Sequence, residues 1–472
     1  MEHQEEGTAQ DLPEDVLADV LRRLAPRGLA ASRCVCKAWR DAVDARGLLR
    51  TDLLPLSLAG LFINFHCLEI TEFFSRPSTD PAIWGKHDYL PEAAGVLDND
   101  DENLCVLNPA TRWWTALPQC PAPVLDTDFF HNEYLVYDPA VSPHYEVFSI
   151  PRFYYRGRFW DYRCDRPEGI LDPSVEQSQW PPSPFILHVF SSTTEKWKVR
   201  SFVREGEPAG IIANLKLGYR DQYNMICWRG ALYVHLQDDF VMRLSLSNDT
   251  YLVIKPPPDI ALWNRQGFYL GKSEKGVYCA SIHERYMLRI WILKESCCKM
   301  EWVLTHERSL LEWLTKHKLV SEGKYRSKNH PRVRGPWSLQ DLNYYYDEYN
   351  KYDKIEAATK EFEWSSEASV DEEFEWSTDD DHNILNNKYP YGYDPGYIDI
   401  LGFHPYKEII FLSESITRGL AYHLSTSEIQ VLGDLYPTRC ELELLNDQFI
   451  TSAFTYTPCL VEQIIVGSAY SE

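Results

Sequence analysis

Residues Met225 to Pro257 read MICWRGALYVHLQDDFVMRLSLSNDTYLVIKPP. Short runs of apolar, β-branched and aromatic residues are split by Arg229-Gly230, Gln237-Asp238-Asp239 and Asn248-Asp249. Gly, Asn and Asp tolerate the backbone conformations that a chain reversal needs, so these clusters punctuate the run. The stretch predicts four strands joined by tight turns.

The same plan repeats outward from it. Downstream, Phe268–Gly271, Val277–Ile282, Tyr286–Leu293 and Glu301–Leu304 make a second set of four strands. Tyr397–Leu435, broken near His404-Pro405, Ser413–Ser415 and Ser425–Ser427, makes a third. Upstream, Glu133–Tyr137, Tyr145–Ile150, Phe185–Phe190 and Lys196–Val199 make another, with a long loop between its second and third strands. Trp114, Trp197 and Trp302 each fall on or beside the last strand of a set. Repeated four-strand units of this size are the signature of a β-propeller, whose radial closure buries both faces of each blade and protects most edges. Five or six four-stranded blades are expected, with FITSAFTYTPCLVEQIIVG near the C-terminus supplying strands that close the ring. The alternative is a large irregular β-sandwich.

Composition agrees with a mostly β chain. Aromatic residues make up 14% of the 472, and large flat side chains suit pleated surfaces. The formal net charge of −23 repels phosphates, so neither nucleic acid nor an anionic membrane surface is an expected partner. The start, MEHQEEGTAQ, lacks the basic and apolar regions of a secretory signal, and no apolar run approaches the length of a spanning helix. Cytoplasm and/or nucleus is the expected location. The closest cysteine groupings, Cys34/Cys36 and Cys297/Cys298, do not form the two CxxC pairs of a structural zinc site. No metal and no cofactor is expected.

The first fifty residues have a different period. In DLPEDVLADVLRRL, Asp11 to Leu24, the residues Val16, Leu17, Val20, Leu21 and Leu24 recur at helical spacing. Pro13 suits a first helical position, and Glu14 and Asp15 sit where the helix dipole favours negative charge. Pro26 and Gly28 break this helix; a second is expected over Leu29–Cys34 and a third over Lys37–Ala45. Three such short helices bury little surface alone, so the unit needs a partner.

The pattern LPEDVLADVLRRL followed by VCKAWR resembles the F-box, most closely its plant form. The resembling residues are Leu12, Pro13, Asp15, Leu17, Leu21, Leu24, Leu29, Arg33, Val35, Cys36, Lys37, Trp39 and Arg40. LCVLNPATRWWTALP, Leu104 to Pro118, resembles the NPxTxxWxxLP turn of plant F-box-associated domains, although AAGVLDNDDENL departs from the family just upstream. Cys36 stands where the family carries a small residue, and Trp39 is expected to pack between helices; Cys34 has no assignable role.

The resemblance implies a multidomain chain: a disordered tail over 1–10, a small all-α F-box over 11–50, and a large all-β propeller over 51–472. A charged, disordered insertion is expected at about 319–392. It further implies the substrate-recognition subunit of a Skp–cullin–F-box ubiquitin ligase. The F-box would dock on a Skp-type adaptor, and through it on a cullin, while the propeller holds an unknown target protein. The docking face would draw on Leu12, Pro13, Val16, Leu17, Val20, Leu21, Leu24, Leu29, Val35, Cys36, Lys37 and Trp39. Some of these must instead hold the helices together, and sequence does not divide the two groups. A non-degradative adaptor-binding scaffold and, further off, a propeller enzyme are the alternatives.

No segment predicts catalysis. GFYLGKS, Gly267 to Ser273, is one residue short of the spacing a P-loop needs to curl around a phosphate. HER at His283 and at His306 does not extend to HExxH. SLLEWLTKHK, Ser309 to Lys318, predicts a helix with Ser309 and Glu312 at capping-box spacing. Beyond it, Lys316–Arg334 holds seven Lys/Arg and one Glu, and Asp341–Asp381 holds fifteen Asp/Glu and three Lys, a net −12. The simple reading is a solvated loop. The sharper one is a recognition arm with Trp364 and Trp376 as anchors.

Overall fold

A computed structural model describes residues 14–24, 32, 37–46, 58–65, 71–77, 83, 104–121, 129–138, 142, 144–153, 173–214, 224–236, 240–257, 260, 268–296, 299–317, 333–340, 397–437 and 449–459. Among the described residues two helices open the chain, α1 (Glu14–Leu21) and α2 (Lys37–Ala45); of the helix expected over Leu29–Cys34 only Ser32 is described, in helical conformation, and the rest lies outside the described residues. The region that follows is almost entirely β. Its first strands are β1 (Gly60–Phe65), β2 (Glu72–Ser75), β3 (Cys105–Asn108), β4 (Trp113–Ala116), β5 (Phe129–Val136) and β6 (Glu146–Phe153). A short helix α3 (Pro173–Glu176) precedes β7 (Gln179–Trp180), β8 (Phe185–Ser191), β9 (Lys196–Glu205) and β10 (Gly210–Ile211). Then come β11 (Met225–Trp228), β12 (Ala231–Leu236), β13 (Phe240–Ser245) and β14 (Thr250–Ile254). They are followed by β15 (Tyr269–Ser273), β16 (Gly276–His283), β17 (Met287–Ser296) and β18 (Lys299–Ser309). After helix α4 (Leu311–Lys316) and β19 (Ser338–Leu339) come β20 (Ile398–Phe403), β21 (Ile409–Glu414), β22 (Arg418–His423), β23 (Ile429–Asp434) and β24 (Ile450–Tyr456).

The four sets read from the sequence are four antiparallel meanders, β5-β6-β8-β9, β11-β12-β13-β14, β15-β16-β17-β18 and β20-β21-β22-β23, the first two joined through the parallel β9–β14 pair into one eight-stranded sheet. The β3–β4 hairpin stands before them. A further sheet, β19-β2-β1-β24, joins strands from both ends of the chain, with Gly60 opposite Tyr456 and Ile63 opposite Ala453. The C-terminal run therefore does return to pair with the first strand.

Successive units meet with one repeated stagger, in which the outer strand of each starts where the previous outer strand ends. The Trp197 indole donates to the carbonyl of Pro118, just past β4, at 2.7 Å. Thr250, at the start of β14, pairs in parallel with Val203, late in β9. Trp302, early in β18, donates to the carbonyl of Lys255, just past β14, at 3.0 Å. Arg308, late in β18, donates to the carbonyl of Ser427, just before β23. The backbone N–H of Trp337, just before β19, donates to the carbonyl of Leu432 in β23 at 2.8 Å. One geometric relation applied five times means that all these units run in the same sense.

The cores lie between neighbouring sheets. Tyr278 and Ile290 of one meander pack in a single buried cluster with Leu412 and Tyr422 of the next, and Leu61 and Phe74 pack with Phe411 and Leu432 in another. Four turns into an outer strand place a non-glycine residue at positive φ in the same position: Arg112, Glu195, Asp249 and Ser427. That is the conformation of a type I turn closed by a left-handed residue.

Two local expectations change. Ser309 is the last residue of β18, where it pairs with Met287, so the helix starts later and Leu310 is its N-cap without a side-chain bond. Ser309 Oγ instead accepts from the Leu311 N–H at 3.4 Å. Strand pairing outcompetes the capping box. The first helix is also shorter than Asp11–Leu24 within the described residues, ending at Leu21 in a turn.

Candidate adaptor-docking site

The helix α1 has two apolar stripes, and the fold uses one of them. Leu17 (5% exposed), Ala18 and Leu21 (0%) are buried. Leu17 and Leu21 form a cluster with Ala42 and Val43 of α2, and Trp39 packs against it. This is why the period-3.6 pattern folds as a helix pair: each helix gives one stripe to the other. Arg46, just past α2, bonds Asp15, and Arg22 bonds Asp19 at 2.6 Å; these exposed pairs contribute little.

The second stripe is left in solvent. Val16 and Val20 are 45% and 46% exposed one turn apart on one side of the helix, and Leu24, in the turn just past its end, is 40% exposed. Covering somewhat under half of such side chains is worth on the order of 1 kcal/mol each. Leu12, Pro13, Leu29, Val35, Cys36, Trp364 and Trp376 lie outside the described residues, as does the side chain of Lys37. The predicted docking set is thus divided: Leu17 and Leu21, with Trp39 against them, serve the helix pair, and Val16, Val20 and Leu24 face outward. Hydrophobic periodicity could not separate them, because both stripes have the same spacing.

The segments tested for chemistry are structural in the fold. Lys272, within GFYLGKS, lies on strand β15 and donates to the Cys227 carbonyl at 3.2 Å. Ser273 Oγ donates to the His404 carbonyl at 3.1 Å. The first HER forms the β16–β17 turn, with Glu284 and Arg285 both at positive φ. In the second, Glu307 pairs with Arg289 at 2.7 Å. Among the described residues no group of three His, Cys, Asp or Glu could hold a metal ion, and no helix is long and apolar enough to cross a membrane. A cavity of about 450 Å³ opens between the β3–β4 hairpin, β1, β24 and β5; its lining is apolar apart from Thr71 and Glu133.

Comparison with known proteins agrees with this division of the chain. Residues 10–51 match the F-box domain family. The chain therefore carries an F-box domain at its N-terminus, followed by a large β-region, and it is similar to plant F-box proteins. Over 327 residues it is 24% identical to an F-box protein of Arabidopsis thaliana, covering 63% of this chain and 72% of the relative. Over 249 residues it is 32% identical to a second Arabidopsis chain with an F-box name, covering 52% of this chain and 61% of that one. A third, 23% identical over 323 residues, is covered to 67%. Each alignment is far longer than the F-box, so the likeness extends into the β-region. F-box domains in general bind Skp-type adaptors, and the proteins that carry them are generally non-catalytic receptors.

Proposed function

We propose that this protein is the target-binding subunit of a Skp–cullin–F-box ubiquitin ligase acting in the cytoplasm and/or nucleus. Its F-box docks on a Skp-type adaptor through the outward stripe Val16, Val20 and Leu24, together with neighbouring F-box residues. Its β-region acts as a propeller of six units, the sixth built from β24, β1, β2 and β19, and holds the target. Such a receptor does no bond chemistry; it raises the effective concentration of target and ubiquitin-charged enzyme, and proximity supplies the acceleration.

The observation that carries this reading is an F-box whose first helix closes its own core with one apolar stripe and leaves a second one bare. An interface of ordinary size, about 1,600 Å² in total, would cover that stripe. The test is co-purification of the intact chain with a Skp-type adaptor, compared with Val20→Asp. Capture by the intact chain and loss in the folded variant supports the reading. Failure of the folded intact chain to capture any adaptor overturns it.

A further inference from the structure

The cavity of about 450 Å³ lies where the two ends of the β-region meet, between the sheet β19-β2-β1-β24, the β3–β4 hairpin and the first meander. Its sides differ in chemistry. On the closing sheet, Phe73, Phe62 and Phe454 stand directly opposite one another across β2, β1 and β24. The ring centroid of Phe62 is 4.6 Å from that of Phe73 and 5.4 Å from that of Phe454. Tyr456, two residues beyond Phe454, sets its ring edge-on to Phe62 at 5.3 Å. Residues two apart on a strand share a face, so these side chains form one aromatic wall. The Tyr456 hydroxyl donates to Asn108 Oδ1 at 3.0 Å, which holds its ring in that wall.

The facing wall is made by β5 and β6. Leu135 and Val147, opposite each other in the ladder, supply its apolar part. Two residues back along β5, Glu133 enters the lining. Its carboxylate accepts from the buried Ser149 hydroxyl at 3.1 Å, and His131 Nδ1 lies 3.1 Å from the same hydroxyl oxygen. The charge is therefore held at a set position on this wall. Leu104 and Leu117, bonded backbone to backbone at 2.8 Å across the base of the hairpin, close the third side. Phe454 and Leu135 are 49% and 43% exposed, so the cavity opens to solvent between the aromatic wall and its counterpart.

We infer that this cavity binds an apolar body carrying one ammonium group, the body against Phe62, Phe454 and Leu135 and the N–H groups donating to Glu133. The volume falls within the range of about 300–1,000 Å³ that small-molecule sites occupy. The head group follows from electrostatics. A carboxylate beside apolar walls is weakly screened, so it favours a cation and rejects an anion. The negative faces of the aromatic rings act in the same direction. A free small amine and a lysine side chain of a target protein offer the same head on an apolar stem.

The experiment titrates the full chain by calorimetry with phenethylammonium, with hydrocinnamate as an anion of similar shape, and with a blocked Gly-Lys-Gly peptide. An ammonium probe is expected to bind at one site and the anion not to bind. Glu133→Gln keeps the shape of the side chain and an acceptor for Ser149, and should weaken the ammonium probe about tenfold. Leu135→Trp, at an exposed position on the cavity wall, fills the space and should weaken it by at least about tenfold; Val199→Trp, exposed on β9 outside the lining, should change it by less than about twofold. Binding of the amine alone assigns the site to a free small molecule, and binding of the peptide assigns it to a lysine of the target. No binding of either ammonium probe by the folded intact chain, equal binding of the anion, or unchanged binding in folded Glu133→Gln or Leu135→Trp overturns the assignment.

Discussion

The indole N–H of Trp302 donates to the backbone carbonyl of Lys255 at 3.0 Å, and Trp197 makes the equivalent bond to the Pro118 carbonyl two junctions earlier in the series. Each tryptophan thus fastens its own outer strand to the end of the previous one. Trp302→Phe and Trp197→Phe keep a smaller aromatic ring in place and remove the donor. Each is expected to cost about 1 kcal/mol, and the pair to add, because the two junctions share no partner. Urea midpoints of the single and double variants check this.

The two stripes of α1 separate folding from docking. Leu17→Ala opens the shared core with α2 and should cost about 2–5 kcal/mol of F-box stability. Val20→Asp, on the outward stripe, should change stability little and weaken adaptor capture at least about tenfold. Thermal melts beside capture assays distinguish them.

Asn108 joins the NPAT turn to the far end of the chain. Its side-chain amide donates to the Cys459 carbonyl at 2.8 Å, and its Oδ1 accepts from the Tyr456 hydroxyl at 3.0 Å. Asn108→Ala should destabilise the β-region by about 1–3 kcal/mol, since the Cys459 carbonyl and the Tyr456 hydroxyl each lose a part-buried hydrogen bond. Hydrogen exchange should show the loss first in β24 and its partner β1.

His404 should make the β-region acid-sensitive. Burial, with the Lys407 ammonium beside it, holds its pKa down to about 4. The folded state therefore prefers neutral imidazole. Its contribution is fully present above about pH 6.5 and is lost as pH falls toward 4, up to about 3 kcal/mol. Burial lowers His188, His306 and His423 in the same direction. In His404→Asn, which keeps an acceptor for the Tyr406 N–H, stability measured from pH 7.5 to 4.5 should fall less steeply.

Gly433 sits where two units touch. A Cβ there would lie 2.0 Å from the Trp337 carbonyl oxygen, and the backbone φ is +152°. Gly433→Ala should push β19 off β23 and cost several kcal/mol. Proteolysis between β19 and β20 should accelerate.

Much of the fold was legible because its signals are local. Turn residues such as Arg229-Gly230 and Asn248-Asp249 bracketed the strands β11–β14, and the three downstream and upstream meanders followed from the same punctuation. Where a local signal met a competing one, it failed. Ser309 and Glu312 have capping-box spacing, yet the β17–β18 ladder extends through Ser309 and displaces the helix start. Three of the four equivalent left-handed turn residues, Arg112, Glu195 and Ser427, are not types that advertise that conformation. Their shared geometry comes from the unit, not from the residue.

By itself the sequence determined a helical F-box ahead of a β-region of four-strand repeats, because periodicity and turn chemistry act over a few residues. Only the tertiary structure decided that Leu17 and Leu21 face inward while Val16, Val20 and Leu24 face out, since the two stripes are identical in spacing and differ only in what packs on them. The sequence placed the C-terminal run at the closure of the ring, but the tertiary structure alone set its partners, Gly60 opposite Tyr456 and Asn108 against Cys459. Pairings so distant in sequence leave no local trace; they exist because each sheet must bury its face and edge against a neighbour.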